Sequence, residues 1–173
     1  GQADTNDLER ARALHSLAHI ERKLGLTEKA IQHFDDAARE FDDILDRGET
    51  EGDTLVDTHL RLADCRENLA SLDRNPIGIA ALASLRLAVA HFEKALVLDP
   101  DNEETVSRQA GTSFLLGRAY DAHGVHDKAV EAYSRSAELA TALRDLKPEP
   151  PDSLTELIGK LQFNAARSLA LLG

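Results

Sequence analysis

Small residues return along this chain at an interval of seven: Ala11 and Ala18, Ala63 and Ala70, Ala110 and Gly117, Ala166 and Gly173. Seven residues are close to two helical turns, so the members of each pair share one stripe of a helix. A leucine stands directly before each second member (Leu17, Leu69, Leu116, Leu172) and is expected on the same face. These define the A helices. A second pattern follows three of the four: Ala30-Ile31-x-x-Phe34-x-x-Ala37, Ala88-Val89-x-x-Phe92-x-x-Ala95 and Ala129-Val130-x-x-Tyr133-x-x-Ser136. It sets one aromatic knob between small holes on an apolar helical face. These are the B helices. The order A-B-A-B-A-B-A predicts seven helices.

The breakers agree. Gly25 and Gly124 each stand seven residues after an A-helix small residue and five before a B-helix alanine. A glycine there takes positive φ and stops a helix. In the second unit Asn75-Pro76 replaces it, and a longer B helix is expected from about Pro76 to Leu98, with Pro76 in its first turn. Arg47-Gly48, Asp99-Pro100-Asp101-Asn102 and Pro148-Glu149-Pro150-Pro151-Asp152 are turn-rich strings between units. Asp53-Thr54 and Asp152-Ser153 are expected to cap the helices that follow, with Glu156 completing a capping box on Ser153.

The composition narrows the class. Of 173 residues, 42% are hydrophobic but only 4% aromatic, with no Trp and no Met, so the core is built from Ala and Leu. Both are strong helix formers and poor strand formers, which makes the fold class all-α. No apolar run approaches the ~20 residues of a membrane span. Lys and Arg number 20 against 31 Asp and Glu, a formal charge of −11, which disfavours nucleic acid and anionic membranes as partners. Cys65 stands alone and makes neither an internal disulfide nor a multi-cysteine zinc site. A chain without Met is expected to begin after processing or trimming, with Gly1 as a protease scar. A cytoplasmic location is favoured, with periplasm or secretion left open, since a single Cys suits all three.

The whole pattern resembles the tetratricopeptide repeat, whose signature runs W-x2-L-G-x2-Y, then A-x3-F, then P. The third unit carries Leu116-Gly117-x-x-Tyr120, Gly124, Ala129 and Tyr133; the second Ala88, Phe92 and Asp99-Pro100; the first Leu17-Ala18, Gly25, Ala30 and Phe34. The departures are in length and in two positions. Small-residue spacings are 52, 47 and 56, against the family's ~34, and the Trp position holds Leu14, Arg66, Ser113 and Leu169. The Tyr position holds Glu21 and Asp73 in the first two units. The resemblance is to long-helix bacterial variants of the repeat. It implies one domain over residues 1–173, a right-handed α-solenoid of three hairpins (7–47, 54–99, 103–147) plus a C-terminal capping helix (152–173). In such arrays A helices line the concave wall and B helices the convex one, and stacking buries what one hairpin cannot.

Function then belongs to what the concave wall displays. Carrying over the family's groove positions gives Arg12, His15, His19, Arg22 and Lys23 in the first unit. The later units give Glu67, Arg74, Phe114, Arg118 and Asp121, with Asp64 and Arg167 also facing the groove. The first set is basic inside an acidic chain and suits an acidic or C-terminal peptide. The expected function is a non-enzymatic protein–protein interaction module. The alternative is a structural spacer or self-association segment of a larger multidomain protein, such as a signalling one. In that case the apolar end Leu171-Leu172-Gly173 is either trimmed from a longer array or covered by a second copy in a homodimer.

Other chemistry is weaker. His15 and His19 stand four apart, a spacing that holds a divalent metal, but no third ligand is close in sequence, so they are read as groove imidazoles and no metal or other cofactor is expected. His123 and His126 fall in a turn and are expected near solvent. Cys65, beside Asp64 and Glu67, disfavours its thiolate. Asp35-Asp36, Asp42-Asp43 and Glu103-Glu104 fit solvated faces or helix N-termini better than acid–base pairs. No catalytic residue and no nucleotide-binding loop is assigned.

Overall fold

The computed structural model describes residues 5–48, 50–145 and 152–172. Seven α-helices and no strands occur among them: α1 (Thr5–Lys23), α2 (Thr27–Asp46), α3 (Gly52–Leu72), α4 (Ile79–Leu98), α5 (Glu103–Ala122), α6 (His126–Asp145) and α7 (Asp152–Ala170). Each helix packs mainly on its neighbour in chain order, from α1 on α2 through α6 on α7, with a lesser contact between α1 and α3. That is an open all-α solenoid of helical hairpins, not a closed bundle. The A helices are α1, α3, α5 and α7.

The repeated pattern is the core. Ala11, Ala18, Ala63, Ala70 and Ala110 are buried, as are Phe34, Phe92 and Tyr133. Gly117 packs so closely on Tyr133 that a Cβ there would lie 2.7 Å from two ring carbons. Gly25 and Gly124 adopt φ of +73° and +69° and end α1 and α5 in the same way. Leu26 N–H donates to Glu21 C=O (2.9 Å) and Gly25 N–H to Arg22 C=O (3.1 Å); Val125 and Gly124 repeat this on Tyr120 and Asp121, both at 3.0 Å. The paired bonds satisfy helix-end carbonyls, and the left-handed residue they need carries no Cβ.

Several expectations are corrected. Leu17 is 41% exposed, turned about 100° from Ala18, whereas Leu69 is half-buried and Leu116 is buried as expected. The last register is displaced. Leu172 lies beyond the end of α7 and is 52% exposed, Ala166 and Leu169 are exposed, and Gly173 lies outside the described residues. The buried stripe of α7 is instead Ile158, Leu161 and Ser168, so Leu161 and Ser168 form the seven-residue pair. The second B helix is not longer than the others. It starts at Ile79 and has 20 residues, as α2 and α6 do. Pro76 sits in a turn closed by Gly78 N–H donating to Asn75 C=O (2.8 Å), and Asn75 N–H donates to Asp73 Oδ1 (2.8 Å). Fixed φ serves Pro as well inside a turn as in a first helical turn. Nor do Asp53 and Thr54 cap α3: both lie within it, and Glu51 holds the N-cap position without a side-chain bond. The side chain of Ser153 lies outside the described residues, and Glu156 pairs with Lys160 at 2.8 Å. At α5 a cap does form, with Asn102 Oδ1 accepting from Thr105 N–H at 3.0 Å, ahead of Glu103 and Glu104 in the first turn.

The candidate interaction face of the A helices

On α1, Arg12, His15, His19 and Arg22 follow one another at helical spacing and form one polar stripe. On α3, Asp57, Arg61, Asp64 and Asn68 do the same. Stacking the hairpins lays these stripes side by side. Arg12 Nη2 meets Asp57 Oδ2 at 2.8 Å, while Arg61 Nε donates to both Asp57 oxygens at 2.9 Å. Burial alone would raise the Asp57 carboxyl, but the bonds from Arg61 and Arg12 bring it below the usual range. Arg22 donates to Asn68 Oδ1.

Asp64 is the centre. It is buried, and its Oδ2 meets His15 Nε2 at 2.8 Å, His19 Nε2 at 2.6 Å and Asn68 Nδ2 at 3.0 Å. Its Oδ1 accepts from Arg108 of α5. Burial works to raise this carboxyl, yet the His15 bond and the Arg108 charge hold it far below the ordinary carboxylate range. Arg108 also reaches Glu67 Oε2 at 2.8 Å and lies over the Phe92 ring at 5.1 Å; Thr112 donates to Glu67 Oε1 at 3.1 Å. A depression of about 320 Å³ opens beside this network, bounded by His15, Arg61, Asp64, Glu104, Thr105 and Arg108.

The first unit's basic stripe is therefore not an unpaired basic surface. Arg12 and Arg22 have α3 partners, and buried His15 shares Asp64 with half-buried His19. Glu67 is held by Arg108 and Thr112. Phe114 lies half-buried against Tyr133, ring centres 5.9 Å apart, with Arg118 over its face at 6.0 Å. Asp121 binds its neighbours rather than solvent: Tyr133 OH donates to it at 3.2 Å, Arg167 Nη2 and Ser168 Oγ at 2.8 Å, and His126 Nδ1 lies 3.1 Å away. Burial opposes ionisation there, and the bonds from His126, Ser168 and Arg167 outweigh it, lowering the carboxyl. Of the groove candidates, Lys23, Arg74 and Arg118 stay exposed without an ion pair among the described residues, as do Lys29 on α2 and Arg86 and Lys94 on α4.

The remaining candidates also find places. His123 Nε2 lies 2.8 Å from Ile77 C=O, on an exposed turn. Cys65 is buried, and burial together with the Asp64 charge pushes its thiol well up. Asp35 and Asp36 pair with Arg39 within α2, but Asp42 reaches across to Arg66 on α3 at 2.6 Å and is more than a solvated face. Sequence reading missed Asp57, Arg61 and Arg108. Arg61 and Arg108 each stand nine residues before Ala70 and Gly117, one turn nearer the N-terminus than the carried-over groove positions. That shared position was the signal available. It also found no third ligand for His15 and His19; the fold supplies Asp64, which lies 45 residues after His19.

A tetratricopeptide repeat family model matches residues 11–40, the α1–α2 hairpin, so the resemblance seen in the sequence is borne out. Among solved structures the chain is similar to the DHF58 filament (21% identity, 95% of this chain and 82% of that one, TM-score 0.44). It is similar to the de novo designed helical repeat protein DHR64 (17% identity, 96% of each chain, TM-score 0.35) and to the MamA protein (18% identity, 92% of each chain, TM-score 0.29). No curated protein matches the sequence.

Proposed function

We propose that this chain is a non-enzymatic protein–protein interaction module whose A-helix face takes an acidic peptide or protein segment. Tetratricopeptide repeats generally mediate protein–protein interaction, and the chain carries that match in its first hairpin. The observation that carries the finer reading is that an unpaired cation recurs at the end of three A helices. Lys23, Arg74 and Arg118 stand at or near the C-terminal ends of α1, α3 and α5, one per A helix, in a chain of net charge −11. Lys29, Arg86 and Lys94 are exposed and without an ion pair too, but they lie on α2 and α4 and do not recur at the ends of the A helices. Exposed aliphatics accompany them in the adjoining turns: Leu24 and Leu26, Ile77 and Ile79, and Val125. Cation and aliphatic repeated along one edge suit an extended segment that alternates carboxylate and apolar side chains.

Fluorescence anisotropy with a labelled acidic peptide tests this. Replacing Lys23, Arg74 and Arg118 together by Ala weakens binding and steepens no salt dependence, while Arg86→Ala on α4 leaves it unchanged. Equal affinity in the triple variant removes the reading. A second reading, self-association, is favoured by α7, where Phe163 is 68% exposed with Leu157 and Leu169 exposed as well. Solution mass separates them: a monomer that binds the peptide supports the first, and a dimer lost on Phe163→Glu supports the second.

A further inference from the structure

We propose that His15, His19 and Asp64 form a divalent-cation site, with zinc as the cation that best suits the donors. Two imidazoles and a carboxylate are a borderline donor set that zinc accepts readily. Their ligand atoms lie together: His15 Nε2 to His19 Nε2 is 3.2 Å, and the two contacts to Asp64 Oδ2 are 2.8 and 2.6 Å. Zinc bonds of ~2.0–2.1 Å in tetrahedral geometry keep ligand atoms about 3.3 Å apart. The imidazole pair already has that spacing, so only the carboxylate must withdraw, by roughly half an ångström.

The surroundings hold these groups in place. The His19 ring stands edge-on to Phe34 at 5.0 Å, and His15 meets Phe34 and Phe41 edge-on at 6.3 and 6.4 Å. Asn68 and Arg108 orient Asp64, the kind of outer-shell support that fixes a ligating carboxylate. The depression beside His15 and Asp64 gives a cation a way in and leaves a further coordination position for water or for a carboxylate brought by a partner.

Two features limit the affinity. Arg61 Nη1 lies 3.3 Å from His15 Nδ1, where a metal-bound ring carries its proton. Binding displaces that guanidinium edge, while Arg61 keeps its bonds to Asp57. Arg61 and Arg108 also place positive charge nearby, offset by Asp57, Asp64 and Glu67. The site is accordingly weaker than a four-ligand structural zinc site. It stands whether or not the face binds a peptide.

The test is calorimetric titration of the metal-stripped, tag-free chain with zinc, together with the visible absorption of added cobalt. The expected result is one saturable equivalent, with the intense absorption of tetrahedral cobalt. His19→Gln, a half-exposed position, weakens zinc at least tenfold with circular dichroism unchanged. His19→Cys keeps a site and adds a thiolate-to-cobalt absorption, which a merely structural histidine would not produce. No saturable equivalent up to millimolar zinc overturns the proposal. So does a zinc affinity unchanged in His19→Gln, which would place any binding at other histidines or the amino terminus.

Discussion

Gly117→Ala is the sharpest probe of how these hairpins fit. In the middle of an exposed helix the change would stabilise by about 0.8–1.0 kcal/mol, because Gly is the poorer helix former. Here the added Cβ falls 2.7 Å from Tyr133 Cδ1 and Cε1 and 3.0 Å from Cγ. Carbon atoms sit comfortably at about 3.5–4.0 Å, so the overlap is roughly 1 Å with three atoms of one ring. The ring has nowhere to go: it is 1% exposed, lies against Phe114, and is tethered through its hydroxyl to Asp121. Overpacking of this kind costs about 1–3 kcal/mol, and an immobile ring places it near the top of that range. Net of helix propensity, the loss is about 2 kcal/mol. In a Tyr133→Ala background the overlap is gone, and the same change should stabilise by about 1 kcal/mol. Urea unfolding followed by far-ultraviolet circular dichroism measures all four corners of the cycle. If Gly117→Ala stabilised the parent chain as much as it does the Tyr133→Ala chain, the knob-and-hole account of α5 and α6 would be wrong.

Two further outcomes follow from buried polar groups. His59 and His91 lie buried side by side between α3 and α4, Nδ1 to Nδ1 3.1 Å, with Lys94 and Arg66 nearby and Asp42 Oδ1 3.9 Å from His91 Nε2. Burial and then Lys94 lower His59, while burial, His59, Lys94 and Arg66 lower His91 to about 4. The unfolded chain, with histidines near ~6.5, then binds more protons than the folded one between those values. The histidine pair should therefore cost stability as pH drops from ~6.5 to about 4, below which the lowered Asp57, Asp64 and Asp121 carboxyls take over the loss, and His91→Gln should flatten the slope across the upper window in thermal melts. Gln109 is fully buried on α5, and neither its Oε1 nor its Nε2 has a hydrogen-bond partner among the described residues. Gln109→Met should raise stability by about 1–3 kcal/mol, and a lowered melting temperature would show that the amide is satisfied after all.

The helices and most of their buried stripes are legible in the sequence. Helical periodicity is a local property: Ala11 with Ala18, or Phe92 between Ala88 and Ala95, marks a buried stripe whatever lies opposite. Glycine at a helix end is equally local, since positive φ at Gly25 and Gly124 is a matter of one residue's missing Cβ. The last register failed because α7 buries Leu161 and Ser168, and Ser168 is recognised by Asp121 of another helix, which no spacing within α7 announces. The polar face was decided by the tertiary structure alone. Arg12, His15, His19 and Arg22 read as a free basic strip until stacking set Asp57, Asp64 and Asn68 against them. Charge compensation acts through space over a few ångströms between side chains about 45 residues apart, so one helix's sequence carries half of each pair and the packing of hairpins supplies the other.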